Sequence, residues 1–222
     1  MHEIRKISRP HDRYPGYDVL SKRNTPSWNE QTRRVITRRL AADPEPRFFT
    51  AEEFRTVLAI AARIVPQQPA RPPIPVAALV DEKLHQGRSD GYRLAGMPRE
   101  GDAWRLGMKA LDAEAEAAYG GRFHTLADGL QVSLLQRMER GELESSEWGS
   151  MRPQDFFKKR MAKDIVLAYY AHPTAWSEIG WGGPASPRGY VRLDFDDRDP
   201  WEAAEAKGGD DTLVRRINRH VR

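Results

Sequence analysis

The sequence predicts an all-α fold, an irregular helical bundle of about five to six helices with an extended N-terminal arm and an irregular C-terminal segment. Two observations carry this. Apolar residues recur at three- and four-residue steps through most of the chain, which gathers them on one helical face. Strand-like alternation is confined to Tyr190, Val191, Arg192 and Leu193, and no internal repeat occurs.

The 222 residues suit one domain with tails. No apolar run reaches the roughly 20 residues of a membrane helix. With no cysteine, the chain holds no disulfide, thiolate zinc site or iron–sulfur ligand. The N-terminus has basic residues but no apolar stretch of a secretory signal, and no twin-Arg signal. Residues 1–47 carry eleven Lys and Arg against six Asp and Glu, leaving 25 against 26 in the remaining 175. Three regions follow: a basic arm with a surface helix (1–47), a helical domain (48–190) and an irregular, charged C-terminal segment (191–222).

In chain order, residues 1–26 read as an extended arm, tied down by Tyr14, Tyr17, Val19 and Leu20. Ser27 and Glu30 have capping-box spacing, predicting a helix over about 28–40 with Arg33, Arg34, Arg38 and Arg39 on its surface. Thr50 and Glu53 repeat that spacing before Phe54, Val57, Leu58, Ala61, Ile64 and Val65, and Pro66 stops the helix. After a Pro-rich connector, Pro75 opens a helix with Val76, Leu79, Val80 and Leu84 buried. Trp104, Met108, Leu111, Ala115 and Ala118 face the core over 98–119, where Gly120 and Gly121 end the pattern. Phe123 and Thr125 open a helix carrying Leu126, Leu130, Leu134, Leu135 and Met138 as far as Gly141. Pro153 begins the last long helix, with Phe156, Phe157, Met161, Ile165, Val166, Tyr169 and Tyr170. A short helix at Pro200 and Trp201 and a loosely held end complete the expectation.

That last helix runs into residues 169–190, a stretch dense in Pro, Gly and large aromatics. Proline fixes φ and glycine permits tight turns, so Tyr170, Trp176, Trp181 and Tyr190 are set on a rigid loop. These rings either close the end of the core or face a partner.

Catalytic chemistry is not legible. The six histidines show no i, i+3 or i, i+4 pairing, and there is no phosphate loop, dinucleotide fingerprint or nucleophile elbow. Asp194, Asp196, Asp197 and Asp199 have the ligand types of a calcium loop but lack its central glycine. His172, where the last helix meets Pro173, and Glu178, between Trp176 and Trp181, are the residues a stand-alone enzyme would use; as a lone imidazole, His172 is ordinarily structural.

The order of features is more specific than any one motif. Phe49, Thr50, Ala51, Glu52 and Glu53 lead to Ile64, Val65 and Pro66. Gly107, Met108, Lys109, Ala110, Leu111 and Asp112 follow, then Phe123, His124, Thr125 and Leu126, then Phe156 and Phe157, and finally Tyr170, Ala171, His172 and Pro173. Over about 48–190 this resembles the gluconate 2-dehydrogenase subunit 3 family. The resemblance implies a small helical subunit that accompanies an FAD-dependent dehydrogenase of the glucose-methanol-choline type, often with a cytochrome c subunit. It also implies that the flavin belongs to the partner and that this chain supports the partner's folding, stability or export. Many members carry a twin-Arg signal that this sequence lacks, which leaves the complex cytoplasmic or exported on a partner's signal.

On that reading the chain has no catalytic, cofactor or metal residues of its own. Trp28, Tyr170, His172, Trp176, Trp181 and Tyr190 are the expected partner-binding residues, and no membrane span or nucleic acid is involved. The alternatives are a stand-alone enzyme using His172 and Glu178, and a binder of acidic partners or nucleic acid through the basic arm.

Overall fold

The structure, a computed structural model, describes residues 12–91, 94–190, 197–207 and 211–221. In chain order its helices are α1 (Glu30–Leu40), α2 (Ala51–Ile64), α3 (Val76–His85), α4 (Glu100–Tyr119), α5 (Asp128–Arg140), α6 (Pro153–Phe156), α7 (Ala162–Tyr170), α8 (Pro173–Glu178) and α9 (Asp211–Asn218). The fold is all-α, and no strand occurs among the described residues. The chain forms two compact units, and their boundaries are interleaved. One comprises Met1–Ala41, Gln67–Ile74 and Tyr170–Arg222; the other comprises Ala42–Pro66 and Pro75–Tyr169. The linear regions 1–47, 48–190 and 191–222 therefore do not coincide with the units.

The second unit holds α2 to α7. Thr50 and Glu53 form the expected reciprocal capping box at the start of α2. Just before it, the buried Asp81 carboxylate of α3 accepts the backbone N–H groups of Arg47, Phe48 and Phe49 at 2.8–3.0 Å. α4 and α5 end at Gly120 and Gly141, both left-handed (φ 72° and 77°), as a C-terminal glycine cap requires. The predicted helix start at Phe123 is instead a short 3₁₀ turn, Phe123–Thr125, before α5. Several residues expected in the core face outward: Leu58, Leu130 and Val166 are exposed.

α6 and α7 are joined through a π-helical segment, Phe157–Met161. That widened turn brings Arg160 to an inward position alongside Met161, both buried. The core is aromatic: Trp104 meets Phe49 and Phe156 edge-on, each pair of ring centres 5.7 Å apart, and Trp148 lies 6.1 Å from Phe156. Gly107 lies directly against Phe156, and a Cβ there would overlap the ring. Both indole N–H groups of this core are matched: Trp104 Nε1 donates to Asp164 Oδ2 (2.8 Å) and Trp148 Nε1 to Glu114 Oε1 (3.0 Å).

The first unit is built from distant segments. Tyr17, Val19, Trp28, Ile36, Trp176 and Val221 form its core. Residues 12–26 of the expected arm are thus integral to it, and Val19–Asn24 is a 3₁₀ helix capped by Asp18. α1 is capped by Asn29, whose side chain accepts the Thr32 N–H, rather than by Ser27. Asn29 N also donates to Ser186 O at 2.6 Å, so Ser27 and Trp28 precede the helix and pack inward. The expected loose end is ordered by Asn218, whose amide donates to Pro15 O and Ala204 O at 3.0 Å. At Pro200 and Trp201 the chain makes a turn rather than a helix. Val191, Arg192 and Leu193, the expected strand-like run after Tyr190, lie outside the described residues.

The Gly107 contact gives a clean stability test. Gly107→Ala should lower unfolding free energy by about 1–3 kcal/mol or more through overpacking against Phe156. It should appear as a lower urea midpoint with an unchanged m-value.

Candidate functional site

Residues 169–190 are only partly loop. Pro173 occupies the first turn of α8 and His172 is its N-cap, with Nδ1 accepting the Thr174 N–H at 3.3 Å. An accepting Nδ1 identifies the neutral imidazole with its proton on Nε2. His172 is 5% exposed. Burial, with the Arg39 guanidinium close by, pushes its pKa down to about 4.

The six residues expected to bind a partner divide into two groups. Trp28, His172 and Trp176 are buried in the first unit. Trp176 Nε1 donates to Tyr170 O (2.6 Å), its ring lies 5.8 Å from the Arg39 guanidinium, and with Trp28 it fills the core. These three, expected to face a partner, are buried because segments remote in sequence close over them. Tyr170, Trp181 and Tyr190 are exposed, Trp181 at 40% and Tyr190 at 62%, and Ile179 is exposed beside them in sequence.

The exposed rings sit on constrained backbone. Trp181 N donates to Trp176 O (2.9 Å), Trp181 O accepts the Tyr17 hydroxyl (3.2 Å), and its indole stands edge-on to Trp176 at 4.8 Å. Gly180 precedes it at φ 69°, where any side chain would also run into the Tyr14 ring. The Tyr190 hydroxyl donates to Gly183 O at 2.6 Å. A cleft of about 660 Å³ includes Tyr14, Trp181, Arg188, Tyr190 and Trp201 in its wall, with Arg188 stacked 4.2 Å from the Trp201 ring centre.

Beneath this surface lies a residue the sequence did not single out. Lys22 is fully buried, and its ammonium donates to Gly182 O (3.1 Å) and to Trp201 O. Burial, reinforced by Arg188, lowers its pKa to about 8. A lysine in a polar N-terminal stretch reads as solvated surface, and no spacing rule marks it.

The second unit contains a further unforeseen cluster. Lys83 Nζ contacts Asp164 (2.9 Å), Asp90 (3.1 Å) and Glu100 (3.2 Å). Arg160 Nη1 contacts Glu100 (2.9 Å), Asp90 (3.2 Å) and Asp164 (3.6 Å), and Lys163 reaches Asp90 at 2.7 Å. Three cations thus face three carboxylates, with the Asp164 side chain fully enclosed. Burial alone would raise the Asp90 pKa, but hydrogen bonds from Lys163 and Lys83 outweigh it and hold it near 2. The opposed charges offset part of the cost of burying one another.

His172 and Glu178 flank the opposite ends of α8, separated by about 9 Å of helical rise. The structure does not bring them together as an acid–base pair. Among the described residues no three His, Asp or Glu side chains converge as a metal set. Asp194 and Asp196 of the calcium-like run lie outside the described residues, and Asp199 N donates to Glu202 Oε2 within its own turn. No described helix is long and apolar enough to cross a membrane.

The His172 geometry predicts a pH response. Its folded pKa, about 4, lies below the ordinary histidine value of 6.5, so the unfolded chain binds the proton more readily. The contribution is fully present above pH 6.5 and is lost as pH falls towards 4, on the order of 3 kcal/mol. Denaturant titrations across that range should show the loss, and His172→Asn, which keeps a capping acceptor but cannot titrate, should flatten this component.

A family model for gluconate 2-dehydrogenase subunit 3 matches residues 51–183. The match begins at the first residue of α2 and ends two residues beyond Trp181, covering more than half of the chain. Comparison with curated proteins gives no match. Comparison with solved structures likewise gives none. On the extent of that match, the chain belongs to the gluconate 2-dehydrogenase subunit 3 family.

Proposed function

We propose that the chain is a non-catalytic small subunit that binds and stabilises the FAD-dependent catalytic subunit of a sugar or alcohol dehydrogenase complex. The family description supplies the broader class, a subunit of a gluconate 2-dehydrogenase. A glucose-methanol-choline-type flavoprotein is the partner proposed on the family resemblance, with a cytochrome c subunit as its electron acceptor.

The observation that carries the docking role is the constrained exposure of Trp181. Its backbone is bonded on both sides and its ring is braced against Trp176, yet the indole remains two-fifths exposed. Such a ring loses little conformational freedom on association and offers a large apolar face. Tyr170, Ile179 and Tyr190 supply further exposed apolar surface in the same unit. Trp28 and Trp176 serve the proposal indirectly, by holding the backbone that presents Trp181.

Co-expression with the flavoprotein tests the subunit role: equal solubility and activity of that protein without this chain would refute it. For the docking surface, Trp181→Ala should weaken association by about 2 kcal/mol or more, roughly 30-fold. Trp176→Ala should instead depress the melting temperature of the isolated chain. A melting-temperature loss in Trp181→Ala with unchanged association would assign that ring to the chain's own stability.

A further inference from the structure

The second unit carries a half-open cavity of about 650 Å³ at the junction of the α3 C-terminus and the α4 N-terminus. That is the size range of small-molecule sites. Its wall includes Arg88, Ser89, Arg99, Glu100, Gly101 and Arg160. Arg99 is the N-cap of α4 and supplies no side-chain acceptor, so the positive end of a 20-residue helix lies at the cavity.

The charges are unequal between the inner layer and the rim. In the inner layer, Lys83, Arg160 and Lys163 are matched by Asp90, Glu100 and Asp164. Arg88 and Arg99 on the rim add positive charge, Arg88 lying 3.7 Å from Glu82. Arg160 is 2% exposed and makes its carboxylate contacts through Nη1, while its buried Nε has no hydrogen-bond acceptor among the described residues. A buried guanidinium N–H without an acceptor is costly, and a small shift of the fork towards a bound oxyanion would satisfy it.

We infer that this cavity binds a small organic anion through its carboxylate or phosphate group, held by Arg88, Arg99 and Arg160 at the α4 N-terminus. Ser89, whose Oγ accepts the Gly91 N–H at 3.3 Å, keeps its hydroxyl proton to donate to the same group. The volume leaves room for a metabolite-sized body beyond the charged group. The site lies wholly within the second unit, so its test is independent of the dehydrogenase partner.

The experiment uses the full chain, with thermal unfolding and calorimetric titration against inorganic phosphate and against citrate, ionic strength being held constant with chloride. Saturable stabilisation by either anion is the expected result, and which of the two acts distinguishes phosphate from carboxylate recognition. The exposed rim variants Arg88→Gln and Arg99→Gln should each weaken that binding about tenfold or more, leaving the melting temperature in chloride unchanged. No saturable response to either anion overturns the inference, as does a response that both variants retain in full.

Discussion

The second unit depends on one buried carboxylate. Asp164 takes the Trp104 indole N–H on one oxygen and Lys83 on the other, so a single side chain ties α3, α4 and α7 together. A lone charge in that position would be costly to bury. Lys83 and Arg160 pair with it, and Trp104 forms the centre of the aromatic stack with Phe49 and Phe156. The π segment between α6 and α7 belongs to the same arrangement, since Arg160 on that segment and Asp164 on α7 both join the charge cluster.

The first unit solves the same problem with carbonyl groups. Among the described residues, Lys22 donates to the carbonyls of Gly182 and Trp201, and its ammonium lies 5.6 Å from the Tyr17 ring centre. Those bonds join the N-terminal segment, the aromatic stretch and the C-terminal segment. Arg71 acts similarly, donating to Tyr14 O, Tyr17 O and Asp12. The aromatic rings proposed to dock a partner therefore rest on contacts from all parts of the unit. Charge follows the same division: the first unit has 19 Lys and Arg against 13 Asp and Glu, the second 17 against 19. That positive balance stays with the N-terminal portion: residues 1–41 hold ten Lys and Arg against four Asp and Glu, while 170–222 hold eight against nine.

These two solutions separate two kinds of surface. In the first unit, exposed Trp181, Tyr190 and Ile179 are apolar and suit a protein partner. In the second, the Arg88, Arg99 and Arg160 cavity is polar and suits a small anion. Neither surface depends on His172, whose neutral imidazole is occupied in capping α8.

The sequence by itself determined the helices, where local chemistry decides. The Thr50 and Glu53 capping box, the stops at Gly120 and Gly141 and the start at Pro153 are short-range signals, and the structure uses all of them. The ordered motifs from Phe49 to Pro173 likewise carried the family. Only the tertiary structure decided which residues are interior. Trp28, Trp176 and Trp181 are chemically alike, yet the first two are enclosed by segments as remote as Val221 while the third remains exposed. The charge cluster was equally invisible, because Lys83 and Asp164 are 81 positions apart and each alone resembles solvated surface. Helix caps act over three or four residues, whereas burial and ion pairing are fixed by chain segments that meet only in the folded protein.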